Sequence, residues 1–275
     1  MTQAEKASRF VELHARPGAF LIPNPWDAGT ARILEGMGFE ALTTTSAGLA
    51  FSLGRRDGTG EVSRDETLAN AKAIADATTL PVAADLENGF GDSPEAVAET
   101  IRLAGEVAGL VGGSIEDSTG DPRRPIYDFT HAVERIAAAA EAARALPCPF
   151  MLAARAENFL HGRPDLDDTI RRLQAYQEAG ADVLYAPGLT HRDDIAAVVN
   201  SVNRPVNVVM GLQGVQLSLA ELSAIGVRRV SVGSALSRAA LGAFLRAARE
   251  MREHGTFAFA QAAVGYRDIN AMFTG

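Results

Sequence analysis

PVAADLENGFGDSPEAVAETIRLAGEVAGLVGGSIED, residues 81–117, reads as one strand–helix–strand unit. The apolar run that begins at Pro81 stops at two carboxylates, Asp85 and Glu87. Ser93 and Pro94 then supply an N-cap and a first-turn proline, and the stretch after them has helical composition. A second apolar run starts at Val111 and stops at Glu116 and Asp117. Neither run alternates strictly, which is the pattern of parallel strands buried on both faces.

The same alternation extends in both directions. Strand-length runs start at Phe20 (FLIPNP), Ala41 (ALTTTS), Phe150 (FMLAARAE), Val183 (VLYAPG), Val206 (VNVVMG) and Arg228 (RRVSVGS). Segments rich in Ala, Leu, Glu and Arg lie between them. In MGFEALTTT, AGADVLYA and IGVRRVSV a glycine (Gly38, Gly180, Gly226) stands just before the strand run. Glycine takes the left-handed conformation that ends a helix before a strand. Eight such units in about 250 residues is the arithmetic of a (β/α)8 TIM barrel. An open doubly wound sheet would more often carry a glycine fingerprint after its first strand, and NPWDAGTA is not one. The expected organisation is one domain over residues 1–275, with the barrel at about 20–240 and a helical tail at about 241–275.

The 275 residues include 34 acidic and 26 basic side chains, a formal net charge of −8, which excludes a basic nucleic-acid footprint. With 47% hydrophobic and 22% charged residues the composition is globular, against long disorder. Cys148 is the single cysteine, so neither an intramolecular disulfide nor a cysteine zinc cluster forms. Its place before the fifth strand, at the stability end of a barrel, argues against a nucleophile. The charged start lacks the apolar core of a signal peptide, and no apolar run nears the roughly 20 residues that span a bilayer. These features predict a soluble, cytoplasmic protein with no nucleic-acid or membrane partner.

Barrel active sites sit at the carboxyl ends of the strands. Asp85 and Glu87, two apart, point to the same side, as do Arg155 and Glu157. Strand two ends in Thr43, Thr44, Thr45 and Ser46, followed by Ala47 and Gly48, and Asp57 lies in the loop GRRDGTG. Grouped carboxylates raise one another's pKa unless a cation sits among them. An oxygen-only set suits a hard ion, with Mg²⁺ held partly through waters the best fit. The same charges also suit a structural ion-pair network bracing the rim. Arg155 reads as a clamp for a substrate carboxylate or phosphonate, or as a partner of Glu157 or Glu116. Backbone N–H groups at Ser46, Ala47 and Gly48 suit the same anion, or form an ordinary turn. Trp26, beside Asp27 at the end of strand one, walls the pocket or simply packs. Of the five histidines only His161, after strand five, is placed to reach a site. GVRRVSVGSA (226–235) is similar to the phosphate-binding turn of many barrels.

The motifs NPWDAGTARILEGMGFEALTTTSAG (24–48), SLGRRD (52–57), AADLENGFGDSPEAV (83–97), GGSIEDS (112–118) and LAARAENF (152–159) occur in that order. Together they resemble the isocitrate lyase / phosphoenolpyruvate mutase superfamily, over roughly Phe20 to Gly233. The resemblance implies a (β/α)8 barrel whose last helix is exchanged between subunits of a homodimer or homotetramer. Here the apolar tail from Ala240 would be that helix, too apolar to lie exposed. It implies Asp85 as the central Mg²⁺ ligand (Mn²⁺ being the substitute), with Glu87, Glu116 and Asp57 holding the ion or its waters. Asp57, Glu116 and Arg155 would be catalytic. Trp26, Asp27, Thr45, Ser46, Ala47 and Arg155 would contact a small 2-oxo acid or dicarboxylate. The implied reaction is a Mg²⁺-dependent carbon–carbon lyase or decarboxylase step through an enolate. A phosphonopyruvate mutase or hydrolase acting on a P–C bond is one alternative, and a 2-oxo acid binder without turnover is another.

The loop after strand four, DSTGDPRRPIYDF (117–129), departs from both enzyme branches. It has neither the K-K/R-C-G-H of the lyases nor the lysine that follows E-D in the mutases, where Ser118 stands. Tyr127, Arg123 and Arg124 are then the loop groups able to move protons or bind a second anion.

Overall fold

The computed structural model describes residues 1–212, 214–215 and 217–273. Its strands are β1 (Phe20–Ile22), β2 (Leu42–Thr43), β3 (Val82–Asp85) and β4 (Gly112–Glu116) in the first half. β5 (Met151–Arg155), β6 (Val183–Tyr185), β7 (Val206–Val209) and β8 (Arg229–Ser231) follow. Helix α1 (Gln3–Ala15) precedes β1, α2 (Ala28–Gly36) follows it, and α3 (Ser46–Ser52) and α4 (Arg64–Asp76) follow β2. After β3 to β7 come α5 (Pro94–Glu106), α6 (Phe129–Ala145), α7 (Leu166–Glu178), α8 (Arg192–Ser201) and α9 (Leu219–Ala224). After β8 the chain forms α10 (Ala235–His254), a 3₁₀ turn and α11 (Tyr266–Ala271).

All eight strands are parallel in one sheet of order β1-β8-β7-β6-β5-β4-β3-β2, a (β/α)8 TIM barrel. The local signals read from the sequence operate as expected. Gly38, Gly180 and Gly226 take φ of 85°, 107° and 90°. Ser93 caps α5, accepting from Ala96 N–H, with Pro94 in the first turn.

The barrel closes between β1 and β2 without a ladder, because Pro23 and Pro25 have no N–H to donate. Thr43 N–H donates to the Pro23 carbonyl at 3.1 Å. Asn24 completes the seam, its Nδ2 donating to the Thr44 carbonyl at 2.8 Å.

Cross-strand register sets one further feature. Glu116, Arg155, Tyr185, Asn207, Arg229 and Phe20 are successive partners across β4, β5, β6, β7, β8 and β1. A row of polar side chains therefore runs from the carboxyl end of β4 and β5 down to the start of β8.

The main core lies between strands and helices, with Ile74, Leu86, Ile101, Leu152 and Leu173 fully buried. α1 packs Phe10 and Leu13 against Phe20, Ala41 and Val111, all at or next to the starts of their strands. The far end of the chain contrasts with this. α10 begins at Ala235, inside the range expected for the barrel, and Ser237 is its one buried residue among those described. Phe244 and Phe257 are each 67% exposed, and Leu21, on the outer face of β1, is 39% exposed. Among the described residues no helix is long and apolar enough to cross a membrane.

His14 is buried between Phe10 and Phe20, edge-on to both rings. The Phe10 carbonyl can only accept, so Nδ1 carries the proton and donates to it at 2.8 Å. Burial, and then the Arg229 charge, lower the His14 pKa to about 3. The unfolded chain takes up this proton near pH 6.5, so His14 stabilises the fold above that pH and the contribution is lost as pH falls toward 3. Unfolding free energy should decline by up to about 1.4 kcal/mol per pH unit through this group. In denaturant titrations from pH 7 to 4.5, His14→Gln should lose stability less steeply than the wild type. Parallel acid limbs would contradict this.

Candidate active site

Three carboxylates converge on Arg155 at the end of β5. Its Nε donates to Glu157 Oε1 at 2.8 Å and one Nη to Asp85 Oδ1 at 3.0 Å. The second Nη lies 3.1 Å from Glu116 Oε2. Burial works against the Arg155 charge, yet Glu116, Glu157 and Asp85 hold its pKa well above the ordinary value. Two of the five N–H donors of this guanidinium are thus committed to acids, and Glu116 adds an ion pair.

Asp85 is held from its other side by α3. Ser46 donates to Asp85 Oδ2 through its hydroxyl at 2.9 Å and its N–H at 3.3 Å. Ser46 reaches Asp85 because Thr45 caps α3, accepting from Gly48 N–H at 3.2 Å. A side chain at residue 48 is excluded, since a Cβ would stand 2.6 Å from Thr45 Cγ2 and 2.9 Å from Trp26 Cβ. With the amides of Ser46 and Gly48 committed, Ala47 N–H is the first-turn amide of α3 that takes no partner among the described residues.

Past Asp85 the chain turns through Glu87 and Phe90, both at positive φ (48° and 58°). Such conformations cost a non-glycine residue about 1–3 kcal/mol and persist where the surroundings enforce them. Arg135, buried in α6, does so by donating to the carbonyls of Asn88, Gly91 and Asp92. Its guanidinium lies 4.2 Å from the centre of the Tyr127 ring, and Tyr127 O–H donates to Asp92 Oδ1 at 2.5 Å. Glu116 N–H donates to the Glu87 carbonyl at 2.9 Å, joining this loop to β4.

The cluster carries more negative charge than Arg155 can offset. Burial, then the charges of Asp85 and Asp57, push Glu87 up to about 7. Asp57 is raised by burial and by Asp85. Glu116 is raised well above its ordinary value, mainly by burial and against the pull of Arg155. Among the described residues no group of three or more His, Cys, Asp or Glu side chains is arranged to hold a metal ion directly. Asp85, Glu87 and Glu116 are therefore not a closed ligand set of the kind a structural zinc ion takes. Mg²⁺ keeps several waters and takes one or two carboxylates, and the oxygen-only donors with surplus negative charge fit that ion.

Two cavities meet at Arg155, Ser46 and Asp57. One, of about 330 Å³, is lined by Glu87, Glu116, Glu157 and His161. The other, of about 190 Å³, runs from Thr45, Ala47 and Asp85 to Asn207, Arg229 and Ser231. Asp57, Thr45, Ser46, Ala47, Asp85, Glu87, Glu116 and Arg155 are thus brought together. Trp26 and Asp27 line neither cavity. Asp27 caps α2, accepting from Thr30 N–H at 2.7 Å, and Trp26 packs beneath Gly48. His161 does face the larger cavity, and burial lowers its pKa.

Several other expectations resolve as structural. Asp117 pairs with Arg172 at 3.0 Å and accepts from Tyr176 O–H at 2.7 Å. Arg123 pairs with Asp121, both Arg123 and Arg124 are exposed, and Tyr127 is committed to Asp92. The strand-eight turn is not a free phosphate site: Val232 and Gly233 N–H both donate to Asn24 Oδ1, at 2.9 and 3.0 Å. Tyr185, Asn207, Arg229 and Ser231 also line the smaller cavity, and their signal in the sequence is a polar residue inside each of three apolar strands.

A family model described as phosphoenolpyruvate phosphomutase matches residues 10–252. A solved structure from Burkholderia cenocepacia J2315, provisionally labelled a lyase/mutase, is 66% identical with a TM-score of 0.96, covering 99% of this chain and 97% of its own. The 2,3-dimethylmalate lyase of Eubacterium barkeri is 30% identical over 229 residues, 80% of this chain and 77% of its own. A phosphonopyruvate hydrolase solved with oxalate and Mg²⁺ is 26% identical with a TM-score of 0.85, covering 99% and 95%.

Arg135→Met would strip donors from three carbonyls at once while leaving Glu87 and Phe90 at positive φ. We expect a loss of about 2–4 kcal/mol of stability in denaturant unfolding. A loss below about 0.5 kcal/mol would show that the loop holds its shape without Arg135.

Proposed function

The chain belongs to the phosphoenolpyruvate mutase family within the isocitrate lyase superfamily, and from that premise we propose that it is a Mg²⁺-dependent carbon–carbon lyase. Its simplest form is a decarboxylase of a small 2-oxo or 2-hydroxy dicarboxylate, acting through an enolate. One observation carries this reading. The carboxylates are gathered at Arg155, whereas the loop after β4 brings neither a lysine, a cysteine nor a histidine to the cavity: its one carboxylate there, Asp121, is paired with Arg123 at 3.0 Å. That loop is pinned by a bridge between Ser118 and Ile126, and Thr119 N–H donates to the Pro125 carbonyl at 3.0 Å. Decarboxylation needs an electron sink and an anchor but no base on that loop, so it suits this site better than P–C bond chemistry.

Asp85 would hold the ion directly, with Glu87, Glu116 and Asp57 holding its waters. When bound, Mg²⁺ supplies positive charge where negative charge develops on the enolate oxygen. The protein's own part is positional. Ala47 N–H and the uncommitted N–H groups of Arg155 would orient the C1 carboxylate and 2-oxo group. Ser46 holds the Asp85 carboxylate in place during the reaction. Burial of the cluster strengthens each of these interactions relative to water. A binder without turnover would share these anchors, and release of pyruvate or its homologue in Mg²⁺ buffer separates the two.

Asp85→Ala should weaken Mg²⁺-dependent oxalate binding at least about tenfold in calorimetry. The melting temperature should change little, because one of several crowded carboxylates is removed. Oxalate affinity insensitive to both EDTA and this substitution would remove the metal from the reading.

The exposed apolar face of α10 and the uncovered Leu21 support helix exchange between subunits in a dimer or tetramer. Truncation at Leu241 should then give monomers or aggregates with a lowered melting temperature. A soluble truncated monomer that melts like the full-length chain would refute the exchange.

A further inference from the structure

Arg229 opens β8 inside the barrel and is 5% exposed. Its Nε donates to Asn207 Oδ1 at 2.8 Å, and Asn207 Nδ2 donates to Ser231 Oγ at 3.0 Å. The guanidinium is therefore oriented, but it is not neutralised. Among the described residues no carboxylate pairs with it. Burial lowers its pKa to about 10, and the group that acts the other way is Tyr185. Tyr185 is itself pushed up to about 12 by burial, so at neutral pH it offers no countercharge. The charge is felt nearby, where it helps burial keep His14 neutral.

A buried cation without a counter-ion is an expensive feature. Here it borders empty space, since Arg229, Asn207 and Ser231 line the inner part of the 190 Å³ cavity that begins at Ala47 and Asp85. The register row Arg155–Tyr185–Asn207–Arg229 connects the two ends of that space. With Nε committed to Asn207, the Nη groups are the part of the fork left to receive an anion.

We propose that Arg229, oriented by Asn207, anchors a second carboxylate. The ligand is a small dicarboxylate whose 2-oxo or 2-hydroxy acid end lies at Ala47 and Asp85, and whose distal carboxylate extends into the barrel to Arg229. This rests on the reading of the mouth as a 2-oxo acid site. It places the distal clamp on the barrel floor rather than on Arg123 or Arg124, which face solvent.

Three non-reacting probes in Mg²⁺ buffer test it by calorimetry: oxalate, which engages the mouth alone, and the matched pair lactate and malate, which differ by the distal carboxylate. Malate should bind the wild type at least about tenfold more tightly than lactate. Arg229→Met should abolish that margin while leaving oxalate and lactate affinities unchanged and the melting temperature unlowered. Should Arg229→Met fail to fold, Arg229→Lys keeps the charge without the fork and should shrink the malate margin alone. Equal binding of lactate and malate by the wild type, with oxalate bound normally, overturns the distal anchor and leaves the mouth reading intact. An equal loss of all three probes in either variant makes Arg229 structural and also overturns it. Absence of oxalate binding in the wild type defeats the mouth reading, and the anchor with it.

Discussion

The ion-pair junction at Arg155 is the constraint on which the carboxyl end of this barrel depends. Asp85, Glu116 and Glu157 come from three different strand ends, and each would repel the others in so buried a place. One guanidinium can satisfy all three because its donors are fixed in a plane and face different directions. Parallel register brings Glu116 opposite Arg155 without any loop rearrangement. What surrounds the junction serves to keep it in place: Ser46 holds Asp85, and Arg135 shapes the turn that carries Glu87. Truncating Arg155 would leave buried carboxylates without a partner, a far larger disturbance than losing one hydrogen bond.

The interior distributes charge unevenly. At the mouth five carboxylates (Asp57, Asp85, Glu87, Glu116, Glu157) surround one arginine, and on the floor one arginine has no carboxylate among the described residues. A cation is wanted at one end and an anion at the other. A ligand that chelates a divalent ion with one end and carries a negative charge at its other end answers both requirements. This polarity comes from which strand positions are polar, since the backbone scaffold is an ordinary barrel.

Features governed by near neighbours in sequence were legible. Gly38, Gly180 and Gly226 needed only the rule that a helix ends in the left-handed region, and Ser93–Pro94 only the rules of capping. Asp85 with Glu87, Glu116 and Arg155 could be gathered because strand ends in a parallel barrel share one rim. Residues whose roles depend on distant partners were not. Asn24 occupies the amides of Val232 and Gly233, more than 200 positions away, and nothing local says that the strand-eight turn is already filled. Arg135, within an alanine-rich helix, looks like a surface residue until the carbonyls it holds are seen. Asp27 is the opposite case. Thr30 lies three positions on, so the capping pair was visible, but the family resemblance set Asp27 among the ligand contacts.

The closure of the barrel between β1 and β2 carries a mechanical consequence. These strands are three and two residues long, and one carboxamide side chain does much of the work that a ladder does elsewhere. The seam is the line along which the cylinder can breathe at least expense, and its amides belong to the low-free-energy end of local opening. Asn24 also grips the turn from which α10 departs. Motion at the seam is thus transmitted to the root of the chain's longest helix, so that anything clasping that helix would also tighten the cylinder's weakest join.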